Sequence, residues 1–411
     1  LIHRGKEGYG IAWHNDVRKD TQKIEIDEKT NYAIGHVRYA TSRLTTNSDN
    51  QLQPYKGEVD GETFYYAHNG HIPNIQELMT FYNVKHIKCD SEIFKYVFQS
   101  LSYMSWENRL VALLDIIPGV YNLVILTNNG LYGIRDKTGI RPLCMVYSDW
   151  GYGFASESCG FESWEHLEQF APGSIFKIDQ NGIHEINKYE GSPVSNMNKM
   201  CVIEYIYLMN SKSIIQDTYV HEIRRNIGYG FANDEILKFD KEDTIVVGSP
   251  NTGIPYGIGY SQNLELSYIQ CVTKTTDKRT FMLSNNDERI KYCTNKKCNP
   301  EQIKNKKIIL VDDSIIRGNT MKHLVLDLFK HGASEVHVRS CTPPIISTCN
   351  LGVDIPTTNE LIATNNSLND IRRYINATSL QYLNITTFKT LFGDANCYKC
   401  LTSKLPEDQS L

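Results

Sequence analysis

The chain lacks the features that mark several common protein classes. No apolar run approaches the roughly 20 residues of a membrane-spanning helix, and neither internal repeats nor long low-complexity linkers occur. A net charge of −4 and the absence of a basic run give no support for nucleic-acid binding. No secretory signal is visible, so the sequence predicts a cytoplasmic protein with neither membrane nor nucleic acid as a partner.

A disulfide framework is also lacking. The 11 cysteines are an odd number, and without a visible secretory signal they are more typical of thiols or metal ligands. Cys397 and Cys400 form a CxxC pair. By itself this pair fits half of a zinc site, a redox pair or two unliganded thiols.

Size and composition fit a globular protein of two or three domains, with 411 residues, 41% of them hydrophobic and 22% charged. The pattern changes near residue 195. Before it, short strand-like segments such as Phe64–Ala67 alternate with turns, as in a β-rich layered domain. After it, strand-like runs at Thr244–Val247 and Ile308–Val311 alternate with helical stretches such as Val220–Phe239, as in a parallel α/β sheet. The polar segment Gly191–Lys199 is the predicted boundary between domains 1–195 and 196–411.

The most informative stretch runs from Ile308 to Thr320 (IILVDDSIIRGNT). A buried strand is followed by two adjacent carboxylates, a loop, and a helix that begins near Asn319. The next strand-like run, Glu335–Arg339, completes a βαβ unit. Because ligands of open α/β sheets bind beyond the carboxyl ends of the strands, this loop is a candidate binding site.

The residue types of this loop suit a phosphorylated pentose. Backbone N–H groups at a helix N-terminus can bind phosphate, and Gly318 lets the backbone approach the ligand closely. Ser314, Arg317 and Thr320 can add hydrogen-bond donors. The two carboxylates suit sugar hydroxyls or Mg²⁺, which prefers oxygen ligands. An exposed acidic pair after an ordinary strand is the simpler alternative.

These thirteen residues resemble the phosphoribosyl-pyrophosphate (PRPP) loop of type I phosphoribosyltransferases. The loop Gly248–Gly253 (GSPNTG) is similar to the pyrophosphate loop of that family. The resemblance implies a Mg²⁺ site at Thr252, Asp312 and Asp313, although Asn251 replaces the usual acidic residue. The residues that it assigns to PRPP are Asp312, Asp313, Ser314, Arg317, Gly318, Asn319, Thr320, Thr252, Gly253, Lys274 and Arg279.

Four short polar motifs mark the N-terminal half: HRG at 3–5, GHVRYAT at 35–41, AHNG at 67–70 and CDSE at 89–92. Each is weak alone, since Arg38 also fits a surface charge and Asn69-Gly70 a hairpin turn. Together they suit recognition of an amino acid with a side-chain amide. An arginine can bind its carboxylate and an aspartate its ammonium group, while an Asn amide and a Gly N–H can form an oxyanion hole.

The four motifs resemble the glutaminase domain of class II (N-terminal-nucleophile) glutamine amidotransferases. With the PRPP loop, the chain from Leu1 to about Pro406 resembles the glutamine PRPP amidotransferase family. This implies a layered αββα glutaminase domain followed by a parallel-sheet phosphoribosyltransferase domain. It also implies the conversion of PRPP and glutamine into 5-phosphoribosylamine, glutamate and pyrophosphate, the first committed step of purine synthesis. Inhibition by purine nucleotides and a homo-oligomer are implied as well.

The same resemblance assigns roles in the N-terminal half. Arg38 and Asp90 would hold glutamine, and Asn69 and Gly70 would stabilise the oxyanion. The residues that would line the site are Arg4, Tyr39 and Thr41.

One departure from the family concerns the nucleophile. The family uses a cysteine at its mature N-terminus, whose α-amine can act as the general base, but this sequence opens at Leu1. Either the sequence is incomplete, or the protein uses free ammonia and its glutaminase domain is vestigial. As written, the chain is expected not to hydrolyse glutamine. A non-catalytic PRPP-sensing regulator is a third alternative, disfavoured because no basic helix-turn-helix segment is visible.

A second departure lies in the flexible lid of the family, which reads Lys-Asn-Arg-Tyr-x-Gly before Arg-Thr-Phe. Here Lys274 keeps the lysine position and Thr275–Asp277 replace the next three residues. The loop is also one residue shorter before Arg279. Because such lids exclude water from the site, the divergence predicts altered catalytic efficiency.

Some members of the family hold a [4Fe–4S] cluster with four cysteines. Cys201, Cys349, Cys397 and Cys400 match those four positions. Binding of a cluster by four thiolates is chemically ordinary, so the resemblance implies a cluster here. Zinc and unliganded thiols stay open as alternatives.

Overall fold

The structure is a computed structural model that describes residues 1–402 except 15, 27–28, 39–50, 188–199, 275–295, 354 and 356. The predicted boundary Gly191–Lys199 lies outside the described residues, so the division at residue 195 stays a prediction. The larger sheets before this segment are antiparallel, and the largest sheet after it is parallel. The mixed fold class that the sequence predicts is confirmed.

The described residues before 188 form three antiparallel sheets, in the orders β2-β1-β3, β12-β11-β7-β6-β5-β4 and β10-β8-β9. Their strands are β1 Tyr9–Trp13, β2 Asp16–Asp20, β3 Ala33–Val37, β4 Tyr55–Val59, β5 Glu62–His71, β6 Val120–Thr127, β7 Gly130–Arg135, β8 Cys144–Ser148, β9 Gly151–Ala155, β10 His166–Gln169, β11 Ile175–Asp179 and β12 Gly182–Asn187. Burial alternates along β4, where Tyr55 and Val59 are buried while Lys56 and Glu58 are exposed. This period of two is expected when one strand face covers the core.

Helices cover one face of the six-stranded sheet, and the β2-β1-β3 sheet covers the other. The helices are Ile75–Phe81, Ile93–Ser100 and Trp106–Ile116. Phe94 and Phe98 of the second helix pack with Phe64 of β5. The next residue, Tyr65, packs with Ile34 of β3 instead. Because neighbouring strand residues face opposite sides, β5 joins both layers of the predicted β-rich domain.

The C-terminal half is built on a five-stranded parallel sheet of order β16-β15-β19-β20-β21. The strands of this half are β13 Ile214–Ile215, β14 Thr218–Tyr219, β15 Thr244–Gly248, β16 Ser267–Tyr268, β17 Val272–Lys274, β18 Lys296–Cys298, β19 Lys307–Asp312, β20 Glu335–Ser340 and β21 Ser379–Tyr382. Ile308 and Leu310 belong to one hydrophobic cluster, while Ile309 and Val311 belong to another. Burial on both faces explains why β19 reads as a continuous apolar run.

Helices flank this sheet, and the predicted helix after the acidic pair is among them. The helices of this half are Val220–Ala232, Gly253–Leu264, Pro300–Ile303, Asn319–Lys330, Leu368–Tyr374, Ile385–Phe392 and Lys399–Thr402, with a π-helical turn at Glu204–Leu208. Met321, Leu324, Val325 and Leu328 form the buried face of their helix, as their spacing predicts. In the described part of the chain, no helix is both long and apolar enough to cross a membrane.

One predicted helix is too long. The pattern predicts a helix over Val220–Phe239, but the helix ends at Ala232. Beyond it, the Glu235 carboxylate accepts a hydrogen bond of 2.6 Å from the buried Arg339. A buried ion pair with a strand of the sheet draws the chain away from the helix axis, and local periodicity carries no sign of it.

The strand order places a ligand site at one edge of the parallel sheet. β15 and β19 are neighbours, and the connections that leave them run to opposite sides, to β16 and to β20. This reversal is a topological switch point, where loops at the carboxyl ends diverge and leave a crevice. The two loops predicted to bind PRPP follow these two strands.

Candidate active site

The loop after β15 closes directly against the end of β19. The Ser249 N–H donates to the Val311 carbonyl at 2.8 Å, and the Gly253 N–H donates to the Ser249 carbonyl at 2.8 Å. A Cβ at Gly253 would lie 2.7 Å from the Val311 oxygen and 3.3 Å from the Asp312 Cα. Glycine is therefore required, and it brings the N-terminus of helix Gly253–Leu264, with Thr252 as its N-cap residue, beside Asp312.

The loop after β19 carries the acidic pair and a second helix N-terminus. The Asp313 N–H donates to Asp312 Oδ1 at 2.9 Å, and the Ser314 hydroxyl donates to Asp313 Oδ1 at 2.6 Å. Gly318, with a φ of +79°, precedes helix Asn319–Lys330, and a Cβ there would lie 2.8 Å from Ile362 Cδ1. The structure thus brings the predicted carboxylates, Thr252 and two helix N-termini to one edge of the sheet.

Two predicted contact residues of this loop have partners from a distant segment. Arg317 Nε donates to Glu360 Oε2 at 2.7 Å. The Tyr374 hydroxyl donates to Asn319 Oδ1 at 2.5 Å. Sequence reasoning missed Glu360 and Tyr374, because no local motif marks residues that meet the loop only through packing. Both contacts orient the loop side chains.

Two further predicted contacts lie at the edge of the described chain. Lys274 is the last residue of β17, and its side chain is outside the description. Arg279 lies in the range 275–295, outside the described residues, as does the divergent lid. Their assignment to pyrophosphate stays a prediction.

In the N-terminal half, Asn69 and Gly70 lie inside strand β5. Asn69 pairs with Asn122 and Gly70 with Tyr121 in the β5–β6 register, so the alternative of a hairpin turn is wrong. The Asn69 side-chain amide donates to Ser156 Oγ at 3.2 Å. Gly70 has a φ of +155°, and a Cβ there would lie 1.9 Å from the Val120 carbonyl oxygen, so only glycine fits.

Asp90 lies beside the end of β5. Asp90 Oδ2 accepts the Ile72 N–H at 3.0 Å and lies 3.3 Å from His71 Nδ1, and Oδ1 accepts the Ser91 N–H at 2.9 Å. Burial alone would raise the pKa of Asp90, but the hydrogen bond from His71, the charge of His68 and the Ile72 amide outweigh it and lower the pKa to about 2. Asp90 is an anion at neutral pH, as a partner for an ammonium group requires.

Arg38 follows β3 and is half-buried. Its guanidinium donates to the side-chain carbonyl of Gln51, whose amide donates to the Lys88 carbonyl at 3.3 Å. Gln51 therefore links Arg38 to the segment that leads into Asp90, which sequence reasoning missed. Tyr39 and Thr41, predicted to line the site, lie in the range 39–50, outside the described residues.

His68 is a buried histidine in the AHNG motif that sequence reasoning gave no role. Its Nδ1 lies 2.8 Å from Ser91 Oγ, next to Asp90, and burial lowers the pKa of His68 to about 4. Because the pKa of an unfolded histidine is near 6.5, the unfolded chain binds the extra proton between about pH 6.5 and pH 4. Stability should therefore fall as the pH drops through this range.

Replacing His68 by asparagine, which keeps a polar group near the Nδ1 position, should remove part of this acid sensitivity. We expect the free energy of unfolding of the wild type to fall by roughly 2 kcal/mol more than that of the variant between pH 6.5 and 4.5. Urea unfolding of both proteins at the two pH values measures the difference. Equal losses would show that His68 does not titrate in this way.

Known proteins match this chain over nearly its whole length. The sequence model of the glutamine amidotransferase domain family matches residues 36–162. The chain is 33% identical to the amidophosphoribosyltransferase of Pyrococcus horikoshii, with 99% of this chain and 92% of that protein aligned. It is 29% identical to the amidophosphoribosyltransferase of Bacillus subtilis, with 99% and 90% aligned.

The chain belongs to the amidophosphoribosyltransferase family.

Solved structures of this family agree with the fold. Glutamine PRPP amidotransferase from B. subtilis, complexed with ADP and GMP, superposes with a TM-score of 0.82 at 28% identity and covers 98% of this chain and 92% of its own. A structure described as the allosteric regulatory enzyme of purine biosynthesis also gives 0.82, at 26% identity, and covers 100% and 93%. The similarity spans both halves of the chain.

Arg4, predicted to line the glutamine site, takes part in an ion-pair network that joins the two halves. Its guanidinium lies 2.5 Å from Glu157 and donates to Glu204 at 2.8 and 3.0 Å, and both carboxylates are fully buried. Burial would lower the pKa of Arg4, but the charges of Glu204 and Glu157 outweigh it and hold the pKa above its ordinary value. A contact of Arg4 with glutamine stays a prediction.

The four cysteines named from the family resemblance come together although they are far apart in sequence. The Cys397 N–H donates to the Met200 carbonyl at 3.0 Å, beside Cys201. Cys400 accepts backbone hydrogen bonds from the segment before Cys349. Burial, and then the nearby thiols of Cys397, Cys400 and Cys349, raise the pKa of Cys201. The chain thus has a candidate metal centre here, built from three buried thiols and the partly exposed Cys349.

Proposed function

We propose that this chain forms 5-phosphoribosylamine from PRPP, displacing pyrophosphate with ammonia that its N-terminal half is built to take from glutamine. The observation that carries the proposal is the junction of Gly253 and Asp312 at the switch point, where two helix N-termini meet an acidic pair. This set of groups suits a sugar that carries both a phosphate and a pyrophosphate.

Each group of the loop after β19 has a distinct task. The first N–H groups of helix Asn319–Lys330 bind the 5-phosphate, with Ser314 and Thr320 as further donors. Asp312 and Asp313 accept hydrogen bonds from the ribose hydroxyls. In the reaction the C1–O bond to pyrophosphate breaks, a C1–N bond forms and the ammonia nitrogen loses a proton. By holding the phosphate and the ribose hydroxyls, these side chains keep C1 accessible to the ammonia nitrogen.

The donor set at this edge also fits Mg²⁺. The two carboxylates and the Thr252 hydroxyl are all oxygen ligands, the type that this ion prefers. Bound here, Mg²⁺ would neutralise negative charge on the departing pyrophosphate. Asn251, where the family has an acidic residue, offers an uncharged carbonyl oxygen.

The N-terminal half binds glutamine in the proposal. Asp90, an anion at neutral pH, holds the α-ammonium group, and Arg38 holds the α-carboxylate. The Asn69 amide, oriented by Ser156, and the Gly70 N–H face the oxygen of the side-chain amide as negative charge develops there.

Pyrophosphate release from PRPP in ammonium chloride tests the transfer without depending on the glutaminase. Release that requires PRPP, ammonium and Mg²⁺ together supports the proposal. Tight PRPP binding with no release would instead support the sensing alternative.

We extend the proposal to a [4Fe–4S] cluster on Cys201, Cys349, Cys397 and Cys400. In the described part of the chain, the sets of three ligand atoms mutually within 4.8 Å are His3–Glu157–Cys159 and Cys298–Asp327–His331, and the four cysteines are not among them. A tetrahedral zinc ion with Zn–S bonds of about 2.3 Å needs sulfurs about 3.8 Å apart. A cluster spaces its thiolates more widely than a single ion does, so sulfurs that do not all lie within 4.8 Å of one another are compatible with a polynuclear centre.

Anaerobically purified protein is therefore expected to be brown, with close to four iron atoms per chain. Replacing Cys397 by serine should abolish the colour and most of the iron. Replacing Cys271, a buried cysteine outside the centre, should leave both unchanged. Iron and zinc analysis with an absorption spectrum measures this, and colourless wild-type protein that holds zinc would refute the cluster.

Regulation and assembly complete the proposal. The solved B. subtilis relative is complexed with ADP and GMP. We infer that purine nucleotides inhibit this chain too, and that the chain forms a homo-oligomer, as the family resemblance implies. Light scattering and inhibition of pyrophosphate release by GMP measure the two.

A further inference from the structure

A buried arginine connects the C-terminal half to the strand that carries Asn69 and Gly70. Arg141 Nη1 donates to Glu204 Oε1 at 2.7 Å, and Arg141 Nη2 donates to the Gly352 carbonyl at 2.5 Å. We call this pair of hydrogen bonds the Arg141 bridge. The guanidinium is a planar, rigid fork, so it fixes the positions of its two acceptors relative to each other.

Gly352 in turn lies directly against Gly70. A Cβ at Gly352 would lie 3.1 Å from the Gly70 carbonyl carbon and 3.3 Å from its oxygen. On the other side, a Cβ at Gly70 would lie 1.9 Å from the Val120 carbonyl oxygen. The Gly70 peptide is thus enclosed between strand β6 of its own half and the backbone at Gly352 of the other half.

The two acceptors of the bridge are each three residues beyond a cysteine of the candidate centre. The Glu204 N–H donates to the Cys201 carbonyl at 3.0 Å. Cys349 Sγ accepts the N–H of Leu351, the residue before Gly352, at 3.3 Å. The bridge therefore joins two segments that are hydrogen-bonded to Cys201 and Cys349. One of these segments, at Gly352, also contacts Gly70.

We propose that Arg141 is a positioning residue for the oxyanion hole. It holds the Gly352 carbonyl, and with it the backbone at Gly352, against Gly70, and this keeps the Gly70 N–H directed at the glutamine amide. The inference rests on the proposed function, because that function assigns Gly70 to glutamine. Through this contact the C-terminal half determines the geometry of the N-terminal site.

Three variants of the full chain test the bridge. Arg141→Lys keeps the positive charge but removes the rigid fork. Gly352→Ala places a methyl group against Gly70. Gly393→Ala is the matched control, because Gly393 has a φ of +78°, near the +92° of Gly352, but nothing lies within 4 Å of an added Cβ.

Two measurements report on strand β5, which carries Asn69 and Gly70, without requiring turnover of glutamine. Calorimetry measures the Kd for glutamine, and hydrogen exchange measures the peptide that contains Ile72, whose N–H donates to Asp90. For Arg141→Lys and Gly352→Ala we expect a Kd at least tenfold weaker and tenfold faster exchange in this peptide. Ammonium-dependent pyrophosphate release should stay within twofold of the wild type, and Gly393→Ala should match the wild type throughout.

An unchanged Kd and unchanged exchange in both variants would overturn the proposal, as would faster exchange spread evenly over the whole N-terminal half. If the wild type binds no glutamine, the proposed glutamine site fails. In that case, faster exchange confined to the Ile72 peptide would still establish that Arg141 positions this strand. If the wild type releases no pyrophosphate from PRPP, the result counts against the proposed transfer reaction but not against the role of Arg141.

Discussion

Replacing Asp312 by asparagine is expected to lower ammonium-dependent pyrophosphate release from PRPP by at least about 100-fold. Asp312 ends β19 next to the N-terminus of helix Gly253–Leu264, where the ribose and the metal are proposed to bind. The amide keeps the shape and one oxygen, which can still accept the Asp313 N–H. It loses the negative charge that Mg²⁺ requires and presents a donor where a ribose hydroxyl needs an acceptor.

Asp327→Asn is the matched control for this substitution. Asp327 lies near the far end of helix Asn319–Lys330, where its carboxylate is 3.5 Å from His331 Nδ1. The control should retain release within twofold of the wild type, and the thermal midpoints of both variants should stay close to the wild-type value. Release from Asp312→Asn within threefold of the wild type would refute the assignment of the loop.

Replacing Glu204 by glutamine is expected to lower the free energy of unfolding by about 3 kcal/mol. Glu204 is fully buried and accepts hydrogen bonds from Arg4 at 2.8 Å and from Arg141 at 2.7 Å. A neutral amide leaves Arg141 without its buried counter-charge, and with its oxygen at the Oε1 position it turns its NH₂ group toward the Arg4 guanidinium. Because Glu157 still pairs with Arg4, the expected loss of unfolding free energy lies at the lower end of the range for a broken buried ion pair.

Glu222→Gln serves as the control for a surface pair. Glu222 pairs with Arg225 at 2.9 Å, and both side chains are more than a third exposed. Its loss should be below about 0.5 kcal/mol, because solvent screens such pairs. Equilibrium unfolding in urea measures both variants. A loss under 1 kcal/mol for Glu204→Gln would show that the buried network does not stabilise the chain.

The elements that were predicted correctly are those decided by local pattern. Strand β19 is buried on both faces, so its apolar run is continuous. The helix from Asn319 shows its buried face at intervals of three and four residues. Helix Val220–Ala232 was extended too far because the ion pair of Glu235 with Arg339, which ends the pattern, is a tertiary contact.

The site was predictable to a different degree in its two halves. Each PRPP loop is a contiguous segment, so its motif was visible in the sequence, and the observed strand order places the two loops at the ends of neighbouring strands. In the N-terminal half, the resemblance named Asp90 and Gly70 for one glutamine site, and the structure places Asp90 beside the end of the strand that carries Gly70. Arg4 was named for the same site. The motif gave no sign that Arg4 forms ion pairs with Glu157 and Glu204.

By itself the sequence determined the family, the acidic loop and the start of the helix at Asn319, because each is written in short runs of residues. Only the tertiary structure decided which partners these groups meet. Arg317 finds Glu360 across 43 residues, and Arg141 finds Glu204 across 63 and Gly352 across 211. Such contacts depend on how sheets and helices pack. A buried charged side chain pairs with the opposite charge or hydrogen-bond acceptor that the packing places beside it. No local pattern encodes that choice.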